Sequence, residues 1–376
     1  MDDQNKNLIL ATALSFLVIL GWYTFFPPPE PEQAPETAIS DTAPAGDAAL
    51  APSASADAVA DTAADDAEAP QAPRVAIDTP RVAGSISLQG GRIDDLSLKD
   101  YRETLDENSP IVKLLKPVGE AGAYYALYGW APGSGLSLDD VPGANTIWSA
   151  PADAALTADS PVTLTWDNGK GLTFSRTIAV DEDYMFSVTQ SVANASGGSV
   201  ALAPYGTLAR HGQPADLKNF FILHEGLVGM SDGELAETDY DDMADFEPDP
   251  RDGSKAEVRQ VEQNGWIGFT DHYWMSTLIP EPGQAFRSIA KFDERREIYQ
   301  TDIVLPTVTV ADGQSSEATT MLFAGAKEWE AIRGYQSSGI EGFLDVIDWG
   351  WFFFLTKPMF WLLHNLNVLI GNMGWA

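Results

Sequence analysis

Residues 162–180 read VTLTWDNGKGLTFSRTIAV. Val162, Leu164 and Trp166 alternate with polar residues up to Asp167-Asn168-Gly169-Lys170-Gly171, and Leu172, Phe174, Ile178 and Val180 alternate back, with Arg176 breaking the apolar set. A period of two marks a half-buried strand, and Asn-Gly supplies the positive φ that a tight reversal needs, so this stretch predicts a β-hairpin. The same texture extends outward. Phe186, Val188 and Val192 keep the period, Asn194 to Gly198 turns the chain, and Val200 and Leu202 resume it. Ile86, Leu88, Ile93, Leu96 and Leu98 flank Gly90-Gly91 in the same way, and Val304 to Val310 is β-branched. From Arg74 to Gly325 there is no convincing helix and no internal repeat, so the expected fold is mainly β, a sandwich of two large sheets.

The whole chain has 376 residues, 22 basic and 55 acidic, for a net charge of −33. Nucleic-acid binding needs clustered Lys and Arg, so this balance argues against it; it also opposes binding to anionic membrane surfaces. There is no cysteine, which excludes a disulfide framework, thiolate metal sites and cysteine nucleophiles without fixing the compartment.

Before the β region, residues 8–26 (LILATALSFLVILGWYTFF) are uncharged and mostly apolar. Nineteen residues at about 1.5 Å each span roughly 28 Å, the thickness of a bilayer's hydrocarbon. Leu8, Leu14, Leu17, Leu20, Trp22 and Phe26 are the expected anchor residues, with aromatic side chains crowding the far end as at a membrane interface. Lys6 is the one basic side chain before the run, and none follows until Arg74, which puts residues 1–7 in the cytoplasm. A cleaved signal peptide is the rival reading; the run is long for one, and Pro27-Pro28-Pro29 stands where a small-residue cleavage site would. Residues 27–73 are nearly all Pro, Ala, Ser, Thr, Asp and Glu, too polar to fold alone, and read as a disordered, extended tether.

After the β region, residues 326–370 read as helical. Phe343, Val346, Ile347, Gly350, Trp351 and Phe354 recur at helical spacing, and Asp345 and Asp348 fall on another face. That pattern predicts an amphipathic helix lying in a membrane interface, with Phe343, Ile347, Trp351, Phe354 and, after Pro358 opens a second helix, Trp361 as its apolar contacts. A buried core helix is the rival. The last residues, 371–376, carry no polar tail and read as the interrupted start of another membrane span.

Catalytic signals are weak. His211, His224, His272 and His364 form no zinc-binding pair. His224-Glu225 is an adjacent acid–base couple, but strand neighbours point to opposite faces. Gly229-Met230-Ser231-Asp232-Gly233 matches the nucleophile-elbow pattern, yet the acidic stretch Glu234 to Asp242 behind it reads as a loop rather than the helix an elbow requires. Asp239 to Asp252 lacks calcium-loop spacing and reads as a flexible loop. No catalytic residue, cofactor or metal site is expected.

Four pieces carry a family resemblance: residues 5–22 (NKNLILATALSFLVILGW), 90–101 (GGRIDDLSLKDY), 265–280 (GWIGFTDHYWMSTLIP) and, above all, 348–375, where D-x-G-W, K-P-x-F-W-L-L and G-N-x-G-W elements follow in order. Together they resemble the YidC-type membrane protein insertases of Gram-negative bacteria. The resemblance implies an inner-membrane protein whose periplasmic β-supersandwich, similar to sugar-mutarotase folds, contacts the Sec translocon with its accessory proteins and nascent inner-membrane clients. It also implies a non-enzymatic core of five further membrane helices around a hydrophilic groove with a functional arginine; residues 371–376 read as the start of the first of those helices, and the arginine has no counterpart in this sequence. Two other classes stay open at this point: a membrane-anchored periplasmic docking or holding module without insertase activity, and a sugar-processing enzyme suggested by the implied fold alone.

Overall fold

Alternating apolar residues become strands along nearly the whole described chain. The computed structural model describes residues 72–347, apart from 107, 216, 218–222 and 250–253, together with 356, 358, 359, 362, 363 and 366. The expected anchor, the tether up to residue 71, and Trp351, Phe354 and Trp361 of the expected interfacial helix lie outside the described residues. Among the described residues, no helix is long and apolar enough to cross a membrane.

In chain order the strands are β1 (Arg74–Asp78), β2 (Val82–Ser87), β3 (Arg92–Arg102), β4 (Ile111–Leu115), β5 (Tyr124–Pro132), β6 (Ala155–Leu156), β7 (Val162–Asp167), β8 (Leu172–Val180), β9 (Met185–Asn194) and β10 (Val200–His211). They continue as β11 (Gly226–Ser231), β12 (Glu234–Asp239), β13 (Lys255–Val261), β14 (Gly265–Thr270), β15 (Trp274–Pro280), β16 (Phe286–Asp293), β17 (Ile298–Val304), β18 (Val308–Val310) and β19 (Ser315–Ala326). Helix α1 (Trp329–Ser337) and a 3-10 turn (Phe343–Val346) follow. The larger, 11-stranded sheet runs β13-β16-β17-β10-β5-β3-β2-β1-β6, with β18 also on β10 and β4 on β3. The smaller, 8-stranded sheet runs β12-β11-β14-β15-β19-β9-β8-β7. Among the described residues every strand pair is antiparallel except β1 with β6. One continuous apolar core, including Ile86, Ile93, Leu98, Phe174, Ile178, Phe186 and Leu322, draws on both sheets.

The hairpin of residues 162–180 forms as the alternation demands. Phe174 stands opposite Trp166 on β7 and Val192 on β9. The Asn168 side-chain oxygen accepts from the Lys170 and Leu172 amides at 2.8 and 3.0 Å, and Gly169 takes a φ of +69°. On the outer face, hydroxyls pair across strands: Thr163 with Thr177 at 2.9 Å and Ser175 with Ser191 at 2.7 Å.

Arg176 does not break the inward set; it belongs to it. It is 1% exposed, between Phe174 and Ile178 on the buried face of β8. Its Nη1 donates to the carbonyls of Gly90 and Gly91 at 3.0 and 2.9 Å, and its Nη2 to that of Tyr128. The guanidinium also lies 4.6 Å from the Trp148 ring centre, a cation–π contact. Gly90 and Gly91 lie between β2 and β3, and Tyr128 is on β5, so a side chain of the smaller sheet is bonded to backbone of the larger one. Burial pushes the Arg176 pKa down to about 10, which leaves it charged at neutral pH. Gly91 has to be glycine: its φ is +61°, and a Cβ there would come 2.5 Å from Arg176 Nη1.

Two stretches read as loops carry regular structure in their described residues, the second only up to residue 249. Glu234 to Asp239 pairs with β11 as an edge strand, and Asp232 and Gly233, with φ of +48° and +91°, make the reversal. The exposed Glu234, Glu237 and Asp239 that suggested a loop are charges that guard an open sheet edge. Beyond it, Tyr240 and Met243 are buried, so a 3-10 turn (Asp242–Asp245) sits where a flexible loop was expected.

Replacing Arg176 by alanine leaves three buried carbonyls without a donor. It is expected to cost about 3–4 kcal/mol of unfolding free energy by urea titration. A loss under about 1 kcal/mol would show that Arg176 does not hold the sheets together.

Candidate functional site

The C-terminal part of the described chain is seated on the β domain by two adjoining sets of contacts. The first is polar and centres on Glu328, the residue capping α1. Its Oε1 accepts the hydroxyls of Tyr101 (β3) at 2.5 Å and Tyr184 at 2.9 Å, and it is paired with Arg81, just before β2. Arg81 also pairs with Asp100 at 3.0 Å and Asp183 at 2.8 Å, and lies 4.5 Å from the Tyr184 ring centre. Burial pulls the Arg81 pKa down, but bonds to Asp183, Glu328 and Asp100 outweigh it and hold the group firmly charged. Burial first, and then the Glu328 carboxylate, raise the pKa of both Tyr101 and Tyr184, so each stays a hydroxyl donor.

The second set is aromatic. Helix α1 buries Ala331 and Ile332 and ends in a Schellman turn: Gly339 at φ +116°, its amide on the Gln336 carbonyl at 3.1 Å and the Ile340 amide on that of Tyr335 at 3.3 Å. The reversal brings Phe343 back among Trp266 (β14), Phe323 (β19) and Tyr335, at ring-centre distances of 5.6, 5.5 and 6.3 Å, all edge-on. Polar bonds fix its surroundings. Trp266 Nε1 donates to the Glu341 carbonyl at 3.1 Å, Asn264 Nδ2 to the Glu341 carboxylate at 2.6 Å, and the Tyr335 hydroxyl to Asp181 at 2.8 Å. The Leu344 amide meets the Gln336 side chain at 2.8 Å. Beneath them, Asp232 accepts the amides of Glu262, Gln263 and Asn264, which lower its pKa.

This seat corrects the expected membrane-interface role of Phe343. The side chain is 0% exposed and Val346 is buried with it, while Ile347 packs partly buried against the same core. Their spacing was right for one apolar face, but periodicity does not distinguish lipid from protein as the apolar medium. The Glu328 cluster gave no local signal, because Arg81 and Glu328 lie 247 positions apart.

The other candidates do not converge. His224 is held by Asp239 at 3.1 Å and the Leu227 carbonyl at 2.8 Å, and Glu225 accepts the His272 backbone amide at 3.1 Å. Both residues precede β11 rather than lying on a strand, and His211 stands against the Tyr125 ring. Ser231 ends β11 and enters a two-residue hairpin, so the strand-to-helix turn of a nucleophile elbow is absent there. His364 lies outside the described residues. Among the described residues no three His, Asp or Glu side chains are grouped to hold a metal.

Phe343→Ala is expected to cost about 3–4 kcal/mol and to raise amide exchange across residues 329–347 before the sheets respond. Unchanged exchange there would mean that the ring does not hold the segment. Glu328→Gln, at a partly exposed site, is expected to cost about 1–2 kcal/mol in urea titration.

The model for the YidC periplasmic domain matches residues 74–362. A membrane protein insertase YidC of Ruegeria sp. (strain TM1040) is 71% identical over 381 residues, covering 100% of this chain and 63% of the relative. That of Ruegeria pomeroyi is 62% identical over 386 residues, with the same coverage. The chain thus spans about 63% of the length of these curated relatives. A galactose mutarotase related enzyme from Lactobacillus acidophilus aligns with a TM-score of 0.46 at 8% identity, over 67% of this chain and 97% of that one, too distant to bear on chemistry. The match over residues 74–362 and the identity along the entire sequence make this chain a member of the YidC family.

Proposed function

We propose that the complete protein is a non-enzymatic insertase of the bacterial inner membrane, helping nascent membrane proteins to insert, fold and assemble. The observation that carries this reading is the 71% identity to a membrane protein insertase over the full length of the chain. In this reading residues 8–26 anchor the protein with residues 1–7 in the cytoplasm, residues 27–73 are the tether, and the β domain stands in the periplasm. There it meets clients and the Sec translocon with its accessory proteins. Insertion proper belongs to membrane helices beyond this sequence. A polar groove within the bilayer lowers the cost of moving a short hydrophilic client segment through hydrocarbon, where unsatisfied polar groups are expensive. The client's apolar segment then partitions into lipid by hydrophobic transfer, so neither nucleotide nor metal is required.

The seat of residues 329–347 gives the β domain a part in this. In this reading the aromatic stretch that follows supplies the interface contacts, through Trp351, Phe354 and Trp361. In liposomes of bacterial phospholipid, the complete protein is expected to bring a single-span client to a protease-protected state, and empty liposomes are not. Changing Trp351 and Phe354 together to Asp should lower the protected fraction several-fold at equal protein content. No gain from the complete protein overturns the insertase reading; an unaffected double variant overturns the interface role alone.

A further inference from the structure

Gly90 and Gly91 separate two buried arginines with different surroundings. Arg176, on one side, spends its Nη groups on three carbonyls and lies against Trp148. Arg92, the first residue of β3, lies on the other side and is 7% exposed. A Cβ at Gly90 would come 2.5 Å from the Ala144 carbonyl oxygen and 3.2 Å from Arg92 Nε, so glycine here leaves room for both groups. Its Nη2 donates to the Ala144 carbonyl at 2.9 Å, and its carbon lies 5.7 Å from the Tyr125 ring centre. Among the described residues no carboxylate pairs with it, and its buried Nε has no acceptor. Asp94 feels the Arg92 charge but is bonded to Arg74, so the Arg92 guanidinium has no carboxylate in bonding contact and keeps donors for an incoming anion.

The space it borders is open. Arg92 lines a groove of about 410 Å³ together with Arg74, Ser87, Asp94, Asp95 and Lys113. The acidic groups there are already engaged. Asp94 is bonded to Arg74, Asp95 accepts the Ser85 hydroxyl at 2.7 Å and lies 3.5 Å from Lys113, and Glu120 lies 3.2 Å from Lys113. Burial raises the Asp94 pKa against the pull of Arg74 and Arg92, as expected of a poorly hydrated floor. Ser87, 5% exposed, uses its oxygen to accept the Gln89 amide at 3.2 Å, leaving its hydroxyl hydrogen for another acceptor. What the groove offers is therefore donors: the Nη edge of Arg92, the Ser87 hydroxyl and the rim cations Arg74 and Lys113.

We infer that this groove is a binding site for a small oxyanion, a phosphate or carboxylate group received by Arg92 and Ser87. A guanidinium receives such groups through two parallel N–H bonds from its terminal nitrogens, and Arg92 Nη1 and Nη2 form that edge. With a net charge of −33 the chain provides no long-range attraction for anions, so the interaction is short-ranged and its affinity falls in the millimolar range. Nothing in the insertase reading requires this site, and the two stand or fall separately.

The test titrates the full chain in neutral detergent with inorganic phosphate, and separately with acetate, at constant ionic strength. Saturable binding is followed by ³¹P line broadening for phosphate and by displacement of phosphate for acetate. Phosphate is expected to saturate in the millimolar range. Arg92→Gln should weaken it about tenfold, and Ser87→Ala, the milder change, severalfold. Displacement by acetate would extend the site to carboxylates; no displacement would confine it to phosphate, and both outcomes agree with an oxyanion site. Absence of saturation by both ions overturns the inference. So does unaltered binding in Arg92→Gln with wild-type circular dichroism or, if that variant does not fold, in Ser87→Ala.

Discussion

A charged guanidinium sealed between two sheets, with backbone carbonyls as its acceptors, sets the terms for the rest of this domain. Arg176 cannot shed its proton at neutral pH and cannot reach water, so three carbonyls must be delivered to it. Delivery fixes geometry. The turn between β2 and β3 has to expose two successive carbonyls to the core, which requires Gly90 and Gly91 at positive φ, and β5 has to present the Tyr128 carbonyl at the same depth. A slip of β8 by one residue would turn Arg176 outward and bring Ser175 or Thr177, both half-buried, into its place, so the cation also acts as a register pin. Apolar residues between the sheets supply most of the favourable burial, but they are tolerant of small displacements. The arginine is less so.

Much of the architecture could be read from the chain because strands such as β8 and β9 alternate and its turns carry Gly and Asn where φ must be positive, whereas β5 and β17 are buried on both faces. The hairpin of residues 162–180 needed nothing beyond its own residues. Three features escaped, each for a physical reason. Arg176 was set aside as an interruption because residue type suggested exposure, when its place in the period already put it inside. β12 was missed because an edge strand protected by Glu234 and Glu237 looks, residue by residue, like a loop. Phe343 was assigned to lipid because an apolar face predicts burial without naming the partner, and Trp266 and Phe323 come from strands distant in sequence.

The candidate site divides along the same line. Its aromatic half was visible as a pattern and wrongly addressed, whereas its polar half was invisible. Residues 90–101 and 265–280 stood out as family-like pieces, and the structure gives them physical tasks. Asp100 and Tyr101 complete the Arg81–Glu328 cluster, and Trp266 walls the pocket of Phe343 while bonding the Glu341 carbonyl. The acidic bias of the chain fits these tasks. Around Arg81 three carboxylates surround one guanidinium, so this cation is shared among several anions rather than paired singly.

The Arg81–Glu328 pair also has a bearing on timing. Because 247 positions separate its members, the link closes only once nearly the whole domain has been made. The pocket for Phe343 is equally late, since Phe323 of β19 is one of its walls. A ribosome therefore releases this domain as local hairpins whose distant partners come later, with the Arg81–Glu328 link and the Phe343 pocket closed only once β19 and α1 are made. Until then the unpaired sheet edges depend on their own charges for solubility. The same ordering means that the seat for residues 329–347 joins walls from earlier strands, Trp266 and Phe323, to Tyr335 of the segment itself, so the segment cannot dock before those strands are made.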